Sequence, residues 1–474
     1  MPIVASENLI DVNKIFGIAK IVIAKYYHAH PLPSYADGDS RETSGENVSM
    51  DEVRLAVVGG GPKAAAIAAR AHALNVSLGR SAFIVDIYER KTIGAHWTGR
   101  SGYTDGVQTL CTPIERDLGY PYHSTDPGVN QTLFECFSWN SYLQSQGQAF
   151  FNWVEGGRLP PTHSDFSDYL SWAVSRSKAR VIHGEVVGLS VVNRKWEVVF
   201  NGRGKVKKAG PSYDGVVITG PGPALRLPII RAKKKVFDGQ TMWSRLQEVE
   251  RALAYLDSAK SSKDIAIIGA GGTAAAILAW LSKHGQKNRR ITIVSNQPAF
   301  FTRGDSVFEN RMFNNDVAWL NLPTSVRRES ADRLNRGVVW NSVMRELSEI
   351  KNIDFQYGKA SRIEKKFNHA RVFFEGAHKK HGFIDAGVVF DAIGFNAWWW
   401  LDLLGPADRD AIGERKRLQN AMDSNLTFRK SVWPHPPLHA PMHASLIGPG
   451  HQSLMSLGKM ADSILAPYLT LLST

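Results

Sequence analysis

The sequence predicts an α/β protein built from two similar units, and three observations support this. An apolar strand, a glycine-rich turn and an Ala-rich helix follow one another at residues 54–66 (RLAVVGGGPKAAA). The same order recurs at residues 264–277 (DIAIIGAGGTAAAI), and a β-branched strand follows each helix, at residues 82–89 and 290–295. This order is typical of a unit that binds a dinucleotide at the N-terminus of its helix.

The first glycine turn predicts a phosphate site. Glycine permits the tight backbone path and lets a pyrophosphate approach the helix N–H groups, which carry partial positive charge. We therefore expect Gly59, Gly61, Pro62 and Lys63 to contact a cofactor. Glu89 ends the next strand, somewhat later than the roughly 20 residues usual in such units, and we expect it to accept hydrogen bonds from ribose hydroxyls.

The second turn predicts a second dinucleotide site, at Gly269, Gly271, Gly272 and Thr273. Two such units imply either two nucleotides or one nucleotide and an empty copy of the fold, because glycine motifs alone tolerate such loss. Two buried strands that each end in glycine flank the second unit in sequence, and the later of them ends at Gly394. Such strand ends are expected where the chain passes from one nested domain back to the other.

Composition limits the function classes. A chain of 474 residues with 43% hydrophobic content can form two or three domains. The net charge of +13 comes from scattered residues and short runs such as 205–208 and 233–235, without a nucleic-acid motif. We interpret these charges as solvated loops and as attraction for anionic cofactors, and we expect no nucleic-acid partner.

The low cysteine content favours a cytoplasmic location. Cys111 and Cys136 form no CxxC pair, so a disulfide, a zinc site and a disulfide-reductase activity are disfavoured. No apolar run reaches transmembrane length. Lys20 interrupts the apolar piece at residues 15–25, which favours an amphipathic helix over a signal peptide. That helix and the aromatic content favour a homo-oligomer.

A group of histidines and a group of tryptophans are interpreted as structural and not as ligands of a metal or cofactor. His435, His439 and His443 recur every four residues, but the prolines among them make a metal-binding helix implausible, so we expect a loop and no metal. The tryptophans at residues 398–400 follow a strand, where aromatic runs fill a domain interface more often than they stack on a cofactor.

Six motifs in order resemble the flavin-dependent N-hydroxylating monooxygenases, which include the lysine and ornithine N-hydroxylases of siderophore and natural-product biosynthesis. The resemblance extends from Leu55 to the C-terminal helix. GGGPKAAAIA is similar to the family's FAD turn and GAGGTAAA to its NADPH turn. The other matching segments are HWTG at 96–99, VQTLCTPIERDLGYPY at 107–122, FDAIGF at 390–395 and GHQSLMS at 450–456.

The resemblance implies two nested Rossmann-like dinucleotide-binding domains, for FAD and NADPH, with a small, mostly helical substrate region. The expected boundaries are an N-terminal extension with an amphipathic helix and linker (1–50), the first part of the FAD-binding domain (51–225), a connector (226–262), the NADPH-binding domain (263–380), and the second part of the FAD-binding domain with the C-terminal helix (381–474).

The resemblance also implies the chemistry. NADPH reduces FAD, O2 adds at the flavin C4a, and the hydroperoxide transfers an oxygen to the primary amine of an amino acid or a similar small metabolite. The amine must be neutral to be nucleophilic, although a free alkyl amine is mostly protonated at neutral pH. Water must be excluded, or the hydroperoxide decays to H2O2.

Residues at matching positions take the family's catalytic roles as expectations. Gln108 matches a glutamine near the flavin edge, and Arg116 falls where the family places a lysine that binds the substrate carboxylate. Asn310 and Asn341 match two asparagines that contact nicotinamide or substrate. Arginine can bind a carboxylate through two hydrogen bonds and is not equivalent to lysine, so neither lysine nor ornithine is assumed as substrate.

The remaining cofactor contacts follow from the same resemblance. His96, Trp97, His451 and Leu454 belong to segments that contact FAD. The family's arginine after the second NADPH-domain strand is replaced by residues 295–296 (Ser-Asn), so we expect the 2′-phosphate to be read by one of three other arginines: Arg289, Arg290 or Arg303. NADH is not excluded as an alternative cofactor.

Two alternatives remain at this point. A carbon- or sulfur-oxygenating flavin monooxygenase has the same architecture, although the Baeyer–Villiger fingerprint (Phe-x-Gly-x-x-x-His-x-x-x-Trp) is absent. A regulator that binds flavin or nucleotide without catalysis is the other alternative.

Overall fold

The structure, a computed structural model, describes most of residues 52–472. The positions within this range that are not described are 101, 203–204, 209–211, 257–263, 287 and 336. The expected N-terminal extension, residues 1–50, lies outside the described residues.

The strands alternate with helices through most of the described chain. In chain order the strands are β1 Val53–Val58, β2 Phe83–Glu89, β3 Arg180–His183, β4 Glu185–Val192, β5 Lys195–Gly202, β6 Lys205–Lys208, β7 Gly215–Ile218, β8 Ile229–Ile230, β9 Val236–Asp238, β10 Ile265–Ile268, β11 Ile291–Ser295, β12 Phe301–Thr302, β13 Val338–Val339, β14 Ile353–Tyr357, β15 Lys359–Lys366, β16 His369–Glu375, β17 His381–Ala386, β18 Val388–Asp391 and β19 Leu438–His439.

The helices are mostly short. They are α1 Pro62–Ser77, α2 Pro127–Phe137, α3 Trp139–Ser145, α4 Ala149–Glu155, α5 His163–Arg176, α6 Thr241–Ser244, α7 Leu246–Tyr255, α8 Gly272–Leu281, α9 Val307–Arg311, α10 Asp316–Leu320, α11 Thr324–Asn335, α12 Asn341–Leu347, α13 Pro406–Ile412, α14 Arg415–Asn420 and α15 Leu457–Leu472. Within the described ranges, no helix has the length and apolar character needed to span a membrane.

The first unit is a parallel sheet with the strand order β19-β7-β1-β2-β3. β1 is central and buried because its Val- and Leu-rich sequence is covered on both faces. The alanines of α1 are almost all buried, and these small side chains let the helix pack closely on the sheet and against α15. Pro62 begins α1, where its missing N–H costs nothing.

The second unit is a parallel sheet with the strand order β14-β11-β10-β18-β9. All five of its strands lie in sequence between β7 and β19, which are adjacent strands of the first sheet. The second unit is therefore inserted into the first, and the predicted fold class of two nested Rossmann-like domains is confirmed. β9, an edge strand, comes from the segment expected as a connector.

Three smaller sheets complete the architecture. β17-β16-β15-β8 lies beside the second sheet, β4-β5-β6 beside the first, and β12 pairs with β13. Helices α2 to α5 form the helical region between β2 and β3. A hydrophobic core surrounds the first sheet, and two further cores lie against the second.

A buried polar network supports the first sheet beneath β2. Asp86 is 1% exposed and accepts two hydrogen bonds from Arg180, at 2.9 and 2.5 Å. The hydroxyl of Tyr213 donates to the same carboxylate at 2.8 Å, and the hydroxyl of Tyr88 lies 2.7 Å from that of Tyr213. The buried carboxylate of Asp86 thus pairs with the guanidinium of Arg180, which is 55% exposed, and accepts the hydrogen bond of the Tyr213 hydroxyl.

Replacing Asp86 with alanine should lower the free energy of unfolding by about 2 kcal/mol, because the buried hydroxyls of Tyr213 and Tyr88 lose their acceptor. The exposed pair between Glu52 and Arg54 supplies the control, since Glu52→Ala should cost less than about 1 kcal/mol. Urea unfolding measures both changes. Equal effects for the two variants would contradict a structural role for the network.

Candidate active site

The first glycine turn has the shape of a phosphate cradle. Gly59 has φ = +100°, and a Cβ there would lie 2.8 Å from the hydroxyl oxygen of Thr219. A Cβ at Gly61 would meet nothing within 4 Å. Gly59 is therefore required by backbone conformation and close packing, whereas Gly61 leaves open space in front of the N-terminus of α1.

Glu89 lies beside this turn, at the carboxyl end of β2. One oxygen of its buried carboxylate accepts a hydrogen bond from the Gly60 N–H, and the other accepts from the Lys91 N–H, both at 2.8 Å. Each oxygen keeps a second lone pair. Glu89 is thus fixed by the turn in a position to accept further hydrogen bonds from hydroxyl groups.

A cavity of about 840 Å³ extends from this turn toward the second unit. Its volume suits a large organic cofactor. The predicted residues Gly59, Gly61, Pro62, Lys63, Glu89, His96, Trp97 and Leu454 line it. So do several residues whose role in the site was not predicted, namely Tyr103, His163, residues 220–223, Trp340, Trp399 and Met442.

Lys63 joins the two parts of the chain that form this cavity. It is 6% exposed, and its Nζ donates a hydrogen bond to the carbonyl oxygen of Gln452 at 3.0 Å. Burial lowers the pKa of Lys63 to about 7. The lysine therefore changes charge near neutral pH, at the same end of the cavity as the glycine turn.

Two neutral imidazoles line the cavity. Burial lowers the pKa of His96 to about 4, with smaller contributions from the charges of Arg90 and Lys91. His96 stacks on Tyr103 with 4.4 Å between ring centroids, and no described residue hydrogen-bonds its Nδ1. Burial also lowers the pKa of His163 to about 4, and its Nδ1 lies 2.7 Å from the Thr104 hydroxyl.

The second glycine turn repeats the geometry of the first. Gly269 has φ = +105°, and a Cβ there would lie 2.6 Å from the carbonyl oxygen of Ala392. Gly271 precedes α8, and a Cβ at Gly272 would meet nothing within 4 Å. The methyl group of Thr273 packs near Gly239, and Gly394 has φ = +103° in the return segment after β18.

The three arginines expected to read a 2′-phosphate have different surroundings. Arg289 and Arg290 precede β11, at the N-terminal ends of the parallel strands, whereas the glycine turn follows the C-terminal end of β10. Arg290 pairs with Asp354. Arg303 is buried against Trp340 and Phe313. Ser295 ends β11, and its hydroxyl accepts a hydrogen bond from the Gln297 N–H.

Gln108 lies at the junction of the two units. Its side-chain amide donates a hydrogen bond to the backbone carbonyl oxygen of Ala276 on α8 at 3.0 Å. Its backbone carbonyl oxygen accepts a hydrogen bond from the backbone N–H of His163. Gln108 is not among the residues that line the cavity. In this structure it connects the loop of the first unit to the helix of the second.

The other expected catalytic residues are not among those that line the cavity. Arg116 donates to the carbonyl oxygen of Met455 at 3.2 Å and stacks on Tyr120. The Nδ2 of Asn310 donates to Asp305 at 3.1 Å. Asn341 begins α12, next to Trp340, and is exposed.

His451, expected to contact a cofactor, faces a buried ion-pair group instead of the cavity. It is 1% exposed, and its Nε2 lies 3.4 Å from Asp316, which also pairs with Lys459 at 2.7 Å. Leu454, three residues later, lines the cavity. The segment thus contributes one side chain to the cavity and another to the contact with α10.

The histidines of the proline-rich loop have separate partners. His435 lies near Asp408, His439 hydrogen-bonds to Tyr468, and His443 stacks on Trp398. Across the described part of the chain, no three His, Cys, Asp or Glu side chains form a group that could hold a metal ion.

Comparison with known proteins identifies the family. The family model described as L-lysine 6-monooxygenase/L-ornithine 5-monooxygenase matches residues 134–362. The L-lysine N6-monooxygenase MbtG of Mycobacterium sp. (strain MCS) is 33% identical over 435 residues, which are 88% of this chain and 95% of that protein. This chain belongs to that family. It is an FAD- and NADPH-dependent N-hydroxylating monooxygenase, as the motifs predicted.

Further relatives support the same family and fold. MbtG of Mycobacterium tuberculosis (strain H37Rv) is 32% identical over 87% of this chain and 94% of its own length. Among solved structures, the lysine monooxygenase NbtG from Nocardia farcinica has a TM-score of 0.72 at 28% identity, over 87% of this chain and 99% of that one. The ornithine N-hydroxylase KtzI of Kutzneria sp. 744 has a TM-score of 0.67 at 17% identity, over 88% and 99%, and supports the fold.

Substituting the two glycines of the first turn should have different effects. Gly59→Ala should lower the melting temperature, because the backbone is left-handed there and the new Cβ meets Thr219. Gly61→Ala should leave the stability of the flavin-free protein nearly unchanged and weaken FAD binding, because the methyl group enters the open cradle. Thermal unfolding and FAD titration measure these effects. Loss of flavin-free stability in Gly61→Ala would contradict the assignment.

FAD affinity should fall as the pH rises above about 7, by up to about tenfold per pH unit, because binding a diphosphate favours protonated Lys63. Lys63→Met should bind FAD more weakly and with little pH dependence in this range. Fluorescence titration of flavin-free protein between pH 6.5 and 9 tests this. Lys283→Met, at an exposed ion pair with Glu346, is the matched control. A wild-type pH dependence in Lys63→Met would contradict the prediction.

Proposed function

We propose that this enzyme hydroxylates the side-chain amine of L-lysine or of a closely similar amino acid, in a siderophore or natural-product pathway. One observation carries the proposal: the cavity that begins at the first glycine turn reaches Trp340 of the second unit. A flavin bound along it would meet the nicotinamide nucleotide and the substrate at one place. The lysine N6-monooxygenases named above support lysine as the first candidate.

The lining of the cavity fits FAD. Gly61 leaves room for a diphosphate at the N-terminus of α1, Lys63 offers a cation near it, and Glu89 offers carboxylate oxygens for ribose hydroxyls. His96 and Trp97 would contact the flavin end. FAD, when bound, supplies the redox chemistry that activates O2, and the protein supplies binding, orientation and exclusion of water.

The second unit fits the nicotinamide nucleotide. Gly269, Gly271 and Gly272 would cradle its diphosphate at the N-terminus of α8, next to Thr273 and the return at Gly394. Gln108 hydrogen-bonds to α8 and would hold the flavin loop against this nucleotide. Asn341 begins the helix after Trp340 and would contact nicotinamide or substrate.

The substrate would lie with its carboxylate toward Arg116 and its amine toward the flavin. A free lysine side chain has a pKa near 10.4 and carries a proton at neutral pH. Burial in an apolar cavity and a nearby cation both lower the pKa of an amine. The same environment that excludes water would therefore deliver the amine in its nucleophilic form, while the neutral imidazoles of His96 and His163 can accept hydrogen bonds from it.

We further propose that the enzyme acts in the cytoplasm as a homo-oligomer. Cys111 and Cys136 are free thiols, which suits a reducing compartment. Val307, Phe308 and Val317 are between 56% and 73% exposed on α9 and α10, and they offer an apolar surface for a second copy.

Purified enzyme with NADPH and O2 should convert L-lysine into a hydroxylamine that carries one added oxygen, matched by NADPH consumption. Mass spectrometry with ¹⁸O2 identifies the source of that oxygen. Lysine acetylated on its side-chain amine is the control, because its amide nitrogen is not nucleophilic. NADPH oxidation that yields only H2O2 with lysine, ornithine and other amino acids would contradict the proposal.

A further inference from the structure

Residues 448–456 reach the cavity with backbone that belongs to no strand and no long helix. They form two short 3₁₀ turns, Pro449–Gln452 and Leu454–Ser456. Leu454 lines the cavity, and the carbonyl oxygen of Gln452 accepts the hydrogen bond of Lys63 at 3.0 Å. Such turns supply few hydrogen bonds of their own, so the position of this segment depends on its tertiary contacts.

The second unit contacts the segment near both of its ends. Asn335, at the end of α11, donates a hydrogen bond from its side chain to the carbonyl oxygen of Pro449 at 2.9 Å. The hydroxyl of Ser456 donates to the carbonyl oxygen of Phe313 at 3.1 Å. The two chains approach closely there, because a Cβ at Gly450 would lie 2.2 Å from the same carbonyl oxygen. The segment is thus seated against the second unit.

Asp316, the first residue of α10, supplies the charge in this contact. One of its carboxylate oxygens lies 2.7 Å from the Nζ of Lys459, and the other lies 3.4 Å from the Nε2 of His451. Both partners are almost fully buried, at 6% and 1% exposed. One precedes Leu454 in sequence and the other follows it. A single carboxylate therefore contacts the chain on both sides of the residue that lines the cavity.

Electrostatics and shape both hold Asp316 against the segment. Burial raises the pKa of Asp316, but its contacts with His451 and Lys459 outweigh burial and leave that pKa below its ordinary value. A Cβ at Gly448 would lie 2.6 Å from the Oδ1 of Asp316, whereas φ at Gly448 is −179°, which any residue can adopt. A larger residue at position 448 would therefore displace the carboxylate without straining the backbone.

A second ion pair on α15 connects two helices of the first unit instead. Asp462 pairs closely with Arg70 of α1, the helix that packs against α15. The side chains of Asp316 and Asp462 are similarly exposed, at 27% and 21%, and each faces a buried cation. Of the two carboxylates, Asp316 is the one that contacts residues 448–456.

We infer that Asp316 is a positioning residue for the flavin site. From the second unit, it fixes residues 448–456 so that Leu454 faces FAD and the carbonyl oxygen of Gln452 holds Lys63. Asp316 itself is not among the residues that line the cavity. The inference rests on the proposed placement of FAD in this cavity, and it is independent of the identity of the amine.

Fluorescence titration of the flavin-free protein with FAD tests the inference. Asp316→Asn should raise the Kd for FAD by about 10-fold, because a charged contact that orders the segment is lost. Gly448→Ala keeps the charge but displaces the carboxylate, and it should raise the same Kd. Asp462→Asn is the matched control, and it should lower the melting temperature and leave the Kd for FAD unchanged.

Hydrogen exchange of the flavin-free variants separates positioning from a general loss of stability. Asp316→Asn should speed exchange of the backbone N–H groups of residues 448–456 and leave β1 unchanged, because only local opening becomes easier. Asp462→Asn should leave exchange in residues 448–456 unchanged. If Asp316→Asn does not fold, Gly448→Ala undergoes the same two measurements.

Two results would overturn the inference. One is an equal rise in the Kd for FAD in Asp316→Asn and Asp462→Asn, which would make the effect one of stability alone. The other is wild-type exchange in residues 448–456 of Asp316→Asn, which would show that the carboxylate does not fix the segment.

Failure of the proposed FAD placement is distinguishable. If Gly61→Ala and Lys63→Met bind FAD as the wild type does, the cofactor lies elsewhere, and hydrogen exchange alone then decides. Faster exchange of residues 448–456 in Asp316→Asn, but not in Asp462→Asn, supports the positioning role. Equal exchange in the two variants overturns it.

Discussion

The pairing of β19 with β7 is the constraint on which the rest of the structure depends. β7 ends at Ile218, and its neighbour in the sheet begins only at Leu438, after the complete second unit. The first sheet is therefore discontinuous in sequence, and its edge strand β19 comes from the chain that follows the second unit. This places the loop of Gln108, the turn at Gly59 and the C-terminal segment around one cavity that also touches the second unit.

Several ionisable side chains in and around the site are buried, and burial lowers their pKa values. Lys63, Arg303 and the histidines of the cavity are all removed from water, and for each of them burial is the main cause of a lowered pKa. Elsewhere, buried charges such as Asp86 and Arg70 have partners within the protein.

The fold could be predicted from local sequence because its signals are local. A Val-rich strand, a glycine turn and an Ala-rich helix are contiguous, and they occur twice. The position of Glu89 beside the turn was predictable for the same reason, since it ends the next strand, and its contact with a ribose stays a prediction. The roles expected for Arg116, Asn310 and Asn341 came from resemblance, and their contacts with ligands stay predictions.

The parts that were not predicted depend on contacts between distant segments. His163 and Trp340 line the cavity only because α5 and the segment before α12 fold against the first unit, and neither has a motif of its own. The stacking of the Arg303 side chain on Phe313 and Trp340 depends on tertiary packing, and its contact with a phosphate stays a prediction. Gln108 likewise connects two units that no local pattern brings together.

The most direct test of the account is a crystal structure with FAD, NADP⁺ and L-lysine bound together. The account predicts the FAD diphosphate at Gly59–Lys63, the nicotinamide nucleotide at the Gly269 turn, and lysine between them with its side-chain nitrogen toward the flavin. A structure in which either glycine turn lacks its nucleotide, or in which lysine binds outside the junction of the two units, would contradict it.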